Sequence, residues 1–180
     1  DSQEDRLYLK VDKLDKEFLY VYALSSGVGS NDIGLDRGQL GNEQVVYFKK
    51  AGNKLLLVQP NLKFRALTNN ELEKKSVQQA FATSVLYGFP IKETINNSYL
   101  IDITDFIMTD AHGVAARLQQ NGQGSYSVDL SKSALAMERT KAFPKNVIFE
   151  ALLTFNGNAK GYDISSVSPN ANLVTVVQHK

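Results

Sequence analysis

Apolar residues recur along this chain mainly at every second position, which is the period of a strand with one buried face. Leu7, Leu9 and Val11 show this pattern near the start. Segment 18–24 is apolar on both faces, which predicts a central strand covered on both sides. In segment 147–155 every second position is apolar. The predicted strands cover 6–11, 18–24, 45–50, 54–59, 99–103, 147–155 and 173–177.

Turn residues predict how some of these strands pair. Residues 51–53 include Gly52, whose freedom to adopt a positive φ suits a short hairpin between 45–50 and 54–59. Pro60 cannot donate a ladder hydrogen bond and should end the second strand. Segment 156–161 is rich in Asn and Gly and predicts a turn. We predict that 147–155 and 173–177 pair as antiparallel neighbours. Phe149 and Leu153 point to the same side of this pair and should be buried.

Two segments have a helical pattern. Thr68 and Glu71 have the spacing of a capping box, so a helix should run from Leu72 to about Gln79. Residues 80–87 either continue this helix or change to strand. The second helix should begin near Asp105, since Ile107, Ala111, Val114, Ala115 and Leu118 share one helical face.

These elements together predict the α+β class, with a mostly antiparallel sheet and about two helices. The pattern is compatible with an open sheet and with a partial barrel. The chain has 180 residues, shows no internal repeat and contains no long linker, so a single domain over 1–180 is expected.

Composition and charge exclude several function classes. The chain has 20 Lys and Arg against 19 Asp and Glu, whereas nucleic-acid domains usually carry a clear basic excess. Cysteine is absent, which excludes disulfides, thiolate metal sites and a Cys nucleophile. No apolar run approaches the roughly 20 residues of a membrane span. The start is polar and lacks a signal-peptide pattern, so we expect the chain to be a mature or excised piece of a larger protein.

Segment 25–41 is the one long irregular stretch and is rich in glycine. It lacks the Gly-Lys-Ser/Thr ending of a phosphate-binding Walker loop and the third Gly of a dinucleotide fingerprint. We therefore expect an exposed contact loop rather than a nucleotide site. Its central residues Leu35, Asp36 and Arg37 are the predicted interface.

Candidate catalytic and metal-binding residues are few. Asp102, Asp105, Asp110 and His112 form one acidic group with an imidazole, but only His112 and His179 are histidines and no HExxH motif occurs. We expect Asp105 to cap the second helix, Asp110 and His112 to have local roles, and the chain to hold no metal or cofactor. No Gly-x-Ser-x-Gly elbow is present, so no catalytic residue is predicted. Basic residues around Phe143-Pro144 suit either an acidic partner or a solvated surface; they are Arg139, Lys141 and Lys145.

A set of short segments, taken in order, resembles one family. They are 34–39 (GLDRGQ), 57–61 (LVQPN), 64–66 (FRA), 81–89 (FATSVLYGF), 102–106 (DITDF), 110–114 (DAHGV), 122–126 (GQGSY) and 140–146 (TKAFPKN). They resemble the domain of unknown function that lies N-terminal to the catalytic domain in a family of large bacterial zinc-dependent metalloproteases. The resemblance extends from about Asp12 to His179.

This resemblance implies a function for the parent protein rather than a reaction for this chain. The parent would be an exported bacterial hydrolase, located in the periplasm, at the outer membrane or outside the cell. Its zinc would be bound by an HExxH motif downstream of this chain, and the downstream catalytic domain would be this chain's partner. The resemblance assigns no catalytic residue within this domain, so none is transferred to this sequence.

Two hypotheses follow from the resemblance. The chain is either an accessory domain that packs on the catalytic domain or shapes its substrate cleft, or a tethered module that binds peptide or glycan. Accessory packing predicts an exposed apolar patch, whereas a binding module predicts a concave pocket with aromatic and polar lining.

Overall fold

The computed structural model describes residues 5–64 and 66–179. The polar start at residues 1–4, Arg65 and Lys180 lie outside this part of the chain. The strands are Tyr8–Val11 (β1), Phe18–Tyr20 (β2), Ala23–Ser26 (β3), Gln44–Ala51 (β4), Lys54–Gln59 (β5), Ser84–Ile95 (β6), Ser98–Asp102 (β7), Gly124–Val128 (β8), Ala134–Leu135 (β9), Lys141–Ala142 (β10), Val147–Ile148 (β11), Glu150–Ala159 (β12) and Leu173–His179 (β13). The α-helices are Glu71–Ala80 (α1), Thr104–Ile107 (α2), Val114–Gln120 (α3) and Tyr162–Val167 (α4).

The α+β class is confirmed, with 41% strand, 19% helix, antiparallel pairing and one sheet curved as a half-barrel. The contacts divide the described chain into two compact units. Unit 1 contains residues 5–7, 21–43 and 104–179, and unit 2 contains Tyr8–Tyr20 and Gln44–Ile103.

Unit 2 is built on a six-stranded antiparallel sheet with the order β1-β7-β6-β5-β4-β2. The predicted hairpin is confirmed, because β4 and β5 pair with Ala51 opposite Lys54. Gly52 has φ +57° at the first of the two turn positions, a conformation that residues with a Cβ seldom adopt. The second strand ends at Gln59, directly before Pro60. Apolar side chains on one face form the core of this unit; they include Val46, Phe48, Leu55, Leu57 and Phe89.

Unit 1 contains a five-stranded sheet in which β13 lies between β3 and β12, β12 lies between β13 and β8, and β9 also pairs with β12. The predicted pairing of the last two long strands is confirmed, with Leu153 opposite Val176. Leu153 is fully buried. Phe149 is only half-buried, because it lies in the break between β11 and β12, where regular alternation stops. The turn predicted at 156–161 is wrong, since β12 continues to Ala159 and pairs with β8.

The segment 18–24 is not one central strand. It breaks after Tyr20, and its halves join different sheets as β2 and β3. Phe18 and Leu19 are 42% and 62% exposed, because β2 is a short edge strand. Its continuous apolar sequence reflects a change of sheet rather than burial on both faces.

The predicted second helix is interrupted between Ile107 and Val114. The chain turns there, and Gly113 has φ +75°, which a right-handed helix does not allow. Asp110 rather than Asp105 serves as the cap, since its carboxylate accepts hydrogen bonds from the Val114 and Ala115 amides, each at 2.9 Å. Ile107, Val114 and Leu118 are nevertheless all buried, so the apolar pattern identified core residues correctly.

The first helix is confirmed as Glu71–Ala80, but its capping residue differs from the predicted Thr68. Asn70 is the N-cap, and its side chain accepts a hydrogen bond from the Leu72 amide at 3.0 Å. The Thr68 hydroxyl instead accepts a hydrogen bond from the Asn70 amide. The carboxylate of Glu73, rather than that of Glu71, makes the reciprocal contact, because it accepts a hydrogen bond from Asn70 Nδ2. The helix ends at Ala80 and strand β6 begins at Ser84, which decides between the two alternatives for 80–87.

Candidate functional site

The predicted interface loop lies in unit 1 and folds back onto β3. Its backbone follows β3 through hydrogen bonds from Val28 N to Leu35 O and from Leu24 N to Gln39 O, both at 3.0 Å. Gly27 is required for this approach, since a Cβ there would collide with the backbone of residues 35–37. Leu35 is 1% exposed and packs in the interior of the unit, whereas Asp36 is half-buried and Arg37 is exposed. A contact role for Asp36 and Arg37 stays a prediction.

The acidic group around His112 is held by local structural contacts. Besides capping α3, Asp110 accepts a hydrogen bond from Gln178 Nε2 at 3.2 Å. The His112 ring packs edge-on against Tyr22, with ring centroids 5.8 Å apart. Burial lowers the pKa of His112, the nearby Asp110 carboxylate opposes this, and Arg117 adds to it. Among residues 5–64 and 66–179, no group of three or more His, Asp or Glu side chains is arranged to hold a metal ion.

A groove in unit 2 is a candidate site. It has a volume of about 630 Å³, within the range of small-ligand and peptide sites. Apolar residues form one part of its lining, namely Pro60, Phe64, Ala66, Val77 and Phe81. Polar and charged residues form the other, namely Asp15, Glu17, Tyr47, Lys49, Asn61, Lys74 and Thr83.

The groove owes its apolar wall to the long connection between β5 and β6, residues 60–83, which we call the β5–β6 excursion. Asn61 Oδ1 accepts hydrogen bonds from the Lys63 and Phe64 amides at 3.1 and 3.2 Å, which turns the chain at the start of the excursion. The rings of Phe64 and Phe81 then stack, with centroids 4.2 Å apart and planes 10° from parallel. Helix α1 lies between these two phenylalanines in the sequence.

The polar part of the groove carries charges of both signs. Asp15 is fixed by a 2.9 Å hydrogen bond from its amide to Phe48 O, next to Tyr47 and Lys49 on β4. Burial raises the pKa of Tyr47, and the carboxylates of Asp15 and Glu17 raise it further. Lys74 contributes positive charge, with its Nζ 2.7 Å from Glu71 Oε1. Such a lining suits a ligand with an apolar part and a charged part.

The β5–β6 excursion exposes several large apolar side chains among its polar ones. Leu67 and Leu72 are 100% and 78% exposed, and Leu62 and Phe64 are nearly half exposed. None of the described side chains of α1 is buried. The rest of unit 2 therefore covers this helix poorly. A helix of ten residues is marginal in water without a packing surface, so α1 needs a partner surface for stability.

Sequence patterns did not identify the groove, because its lining comes from segments far apart in the chain. Residues 15–17, 47–49 and 60–83 meet only after β2, β4, β5 and β6 have paired. One local signal was available. The excursion carries several large apolar residues without strand or helix period, which is unusual for a solvated loop.

No helix in the described residues is long and apolar enough to cross a membrane. Comparison with protein-family models matches residues 38–180 to the family described as Domain of unknown function (DUF5117). Neither the curated proteins nor the solved structures yield a match. The matched range includes the whole β5–β6 excursion and most of the groove lining, but not Asp15, Glu17 or Leu35–Arg37. Since the match covers well over half of its length, this chain belongs to the DUF5117 family.

Proposed function

We propose that this chain is a non-catalytic accessory domain of an exported bacterial zinc-dependent metalloprotease. In this role it packs on the downstream HExxH domain, through the β5–β6 excursion, and helps to shape the substrate cleft. The ordered set of short segments that resembles the N-terminal domain of such proteases supports this parentage. The zinc would be bound by the downstream domain.

One observation carries the packing role. Leu67 and Leu72 are almost fully exposed on an excursion whose helix buries none of its described side chains. Single exposed leucines are ordinary, but several large apolar residues on one poorly covered segment indicate an interaction surface. Burial of these two side chains would stabilise an interface by roughly 1.5–3 kcal/mol each.

Removal of the domain tests this proposal. The parent protein and a version lacking residues 1–180 would be compared for zinc-dependent cleavage of a protein substrate and for thermal stability. An accessory domain predicts loss of both cleavage and stability in the shortened protein. Full activity and an unchanged thermal midpoint would contradict it.

The groove favours a second candidate, a tethered module that binds peptide. Its aromatic wall and its mixed charges provide the concave, partly polar lining that such a module needs. We place peptide before glycan, because charges of both signs match amide and charged side-chain groups better than neutral sugar hydroxyls.

Two variants of the parent separate the candidates. Leu67→Ser with Leu72→Ser alters the exposed surface, and Phe81→Ala alters the groove. Accessory packing predicts that the leucine variant lowers cleavage of short peptides and proteins alike. A peptide-binding module predicts that Phe81→Ala raises KM for protein substrates and leaves short peptides unaffected. Leu130→Ser is a matched control, because Leu130 is 62% exposed in unit 1.

A further inference from the structure

A small hairpin in unit 1 projects from the sheet. It consists of β10 and β11, which pair with Lys141 opposite Ile148 and Ala142 opposite Val147. Every residue from 141 to 147 is exposed. Phe143 and Val147 are 49% and 44% exposed although both are apolar. We call residues 141–148 the projecting hairpin.

The base of the projecting hairpin is firmly attached. Arg139 Nη1 lies 3.3 Å from Oε2 of Glu150, a carboxylate that is itself almost buried. The Ala136 amide donates to Glu150 O at 2.9 Å, and the Thr140 amide donates to Ala136 O at 3.1 Å. The chain therefore leaves β12 and the turn at 137–140 in a defined direction.

The tip of the hairpin is also preorganised. Phe143 N donates to Asn146 O at 2.8 Å, and Pro144 fixes φ at the first central position of the turn. An isolated two-stranded hairpin of this length has little stability in water, so the contacts at its base and tip are what hold its shape. Rigid presentation of an exposed aromatic side chain is a feature of binding surfaces, because less freedom is lost when the partner binds.

The charge of the hairpin indicates the kind of partner. Lys141 and Lys145 flank the exposed ring of Phe143, and the sequence has no Asp or Glu from 140 to 149. A surface with this pattern complements negative charge around an apolar recess. Two lysines and one aromatic ring are a weak basis for membrane attachment, which usually needs a larger basic cluster or a second anchor.

We propose that the projecting hairpin is a docking arm for an acidic protein surface, with Phe143 inserted into an apolar pocket of the partner and Lys141 and Lys145 paired with carboxylates around it. This site is in unit 1 and does not depend on the groove or the excursion of unit 2. If the docking arm is disproved, the proposed accessory function is unaffected. If the accessory function is disproved, the docking arm is unaffected.

The test uses the ¹⁵N-labelled chain and three probes. They are a short synthetic peptide of alternating Glu and Leu, the same peptide with Gln in place of Glu, and vesicles of phosphatidylglycerol. We expect the Glu/Leu peptide to shift the amide signals of residues 141–148, the Gln peptide to bind about tenfold more weakly, and added salt to weaken binding.

Two variants assign the interaction to the arm. Phe143→Ala and Lys145→Glu should each weaken binding of the Glu/Leu peptide by about tenfold or more. Leu130→Ala and Lys160→Glu are matched controls at exposed positions of the same unit and should bind normally. Unchanged thermal midpoints would show that all four variants fold.

Several results would overturn the proposal. They are shifts confined to other residues, equal binding of the Glu and Gln peptides, or no binding of either peptide. Binding to the vesicles alone would instead identify the hairpin as a contact with anionic lipid.

Discussion

The rings of Phe64 and Phe81 stack face to face at 4.2 Å, although 17 positions separate them in the sequence. Both residues belong to the β5–β6 excursion and line the groove of unit 2. This contact joins the start of the excursion to the residue that follows α1, so it closes the excursion into a loop. The aromatic pair therefore joins the two ends of the excursion at the apolar wall of the groove.

A double-mutant cycle measures that contact. Phe64→Ala, Phe81→Ala and the double variant should show a coupling of about 0.5–1.5 kcal/mol in the free energy of unfolding, as for other aromatic pairs. Urea denaturation of the four proteins provides the values. Additive effects would show that the two rings do not depend on each other.

Core packing in unit 1 can be tested with neighbouring leucines of β12. Leu153 is fully buried, so Leu153→Ala should destabilise the fold by about 2–5 kcal/mol. Leu152 points to the opposite face and is 40% exposed, so Leu152→Ala should change the free energy of unfolding by about 0.5 kcal/mol or less. Similar effects of the two substitutions would contradict the observed strand orientation.

The end of the chain should be essential for unit 1. Strand β13 pairs with β12 on one side and β3 on the other. Deletion of 173–180 would leave both neighbours with unpaired edges, which favours aggregation. We expect the truncated protein to lose its cooperative thermal transition. A monomeric truncated protein with an unchanged midpoint would refute this role.

Local sequence patterns predicted the parts of the fold that depend on neighbouring residues. The β4–β5 hairpin follows from Gly52 and Pro60, and the β12–β13 pair follows from two strongly apolar segments. The sequence patterns failed where contacts between distant parts of the chain change its direction. The break after Tyr20 moves the chain to another sheet, and the turn at Gly113 interrupts an otherwise continuous helical face.

The candidate site was less predictable than the fold. The sequence left open whether an apolar patch or a lined pocket would be found, and unit 2 contains both. Their residues could not be named from the sequence, because Tyr47 and Phe81 come to line the same groove only after the strands have paired. Leu35, by contrast, was predicted to be exposed from the many glycines around it. It is buried because Gly27 lets the loop approach β3 closely.

The half-buried imidazole of His112 should make the stability of unit 1 sensitive to acid. Burial lowers its pKa in the folded protein below the ordinary value of 6.5, with Arg117 adding to the shift and Asp110 opposing it. The unfolded chain therefore takes up a proton first as the pH falls, and stability is lost from about pH 6.5 downwards. His112→Gln should lose less stability than the wild type over this range.

Thermal melts between about pH 7.5 and about pH 5 measure this difference. His179→Gln removes the other imidazole in the chain, so it separates any contribution of His179 from that of His112. Identical pH dependence of the His112→Gln variant and the wild type would exclude His112 as the source.

Hydrogen exchange in the parent protein tests the accessory role most directly. In the isolated chain the amides of α1, Glu71–Ala80, should exchange rapidly, because none of the described side chains of this helix is buried. If the β5–β6 excursion packs on a catalytic domain, the same amides should exchange at least about tenfold more slowly in the parent, while those of β12 remain slow in both proteins. Equal exchange of α1 in the isolated chain and in the parent would contradict the proposed packing.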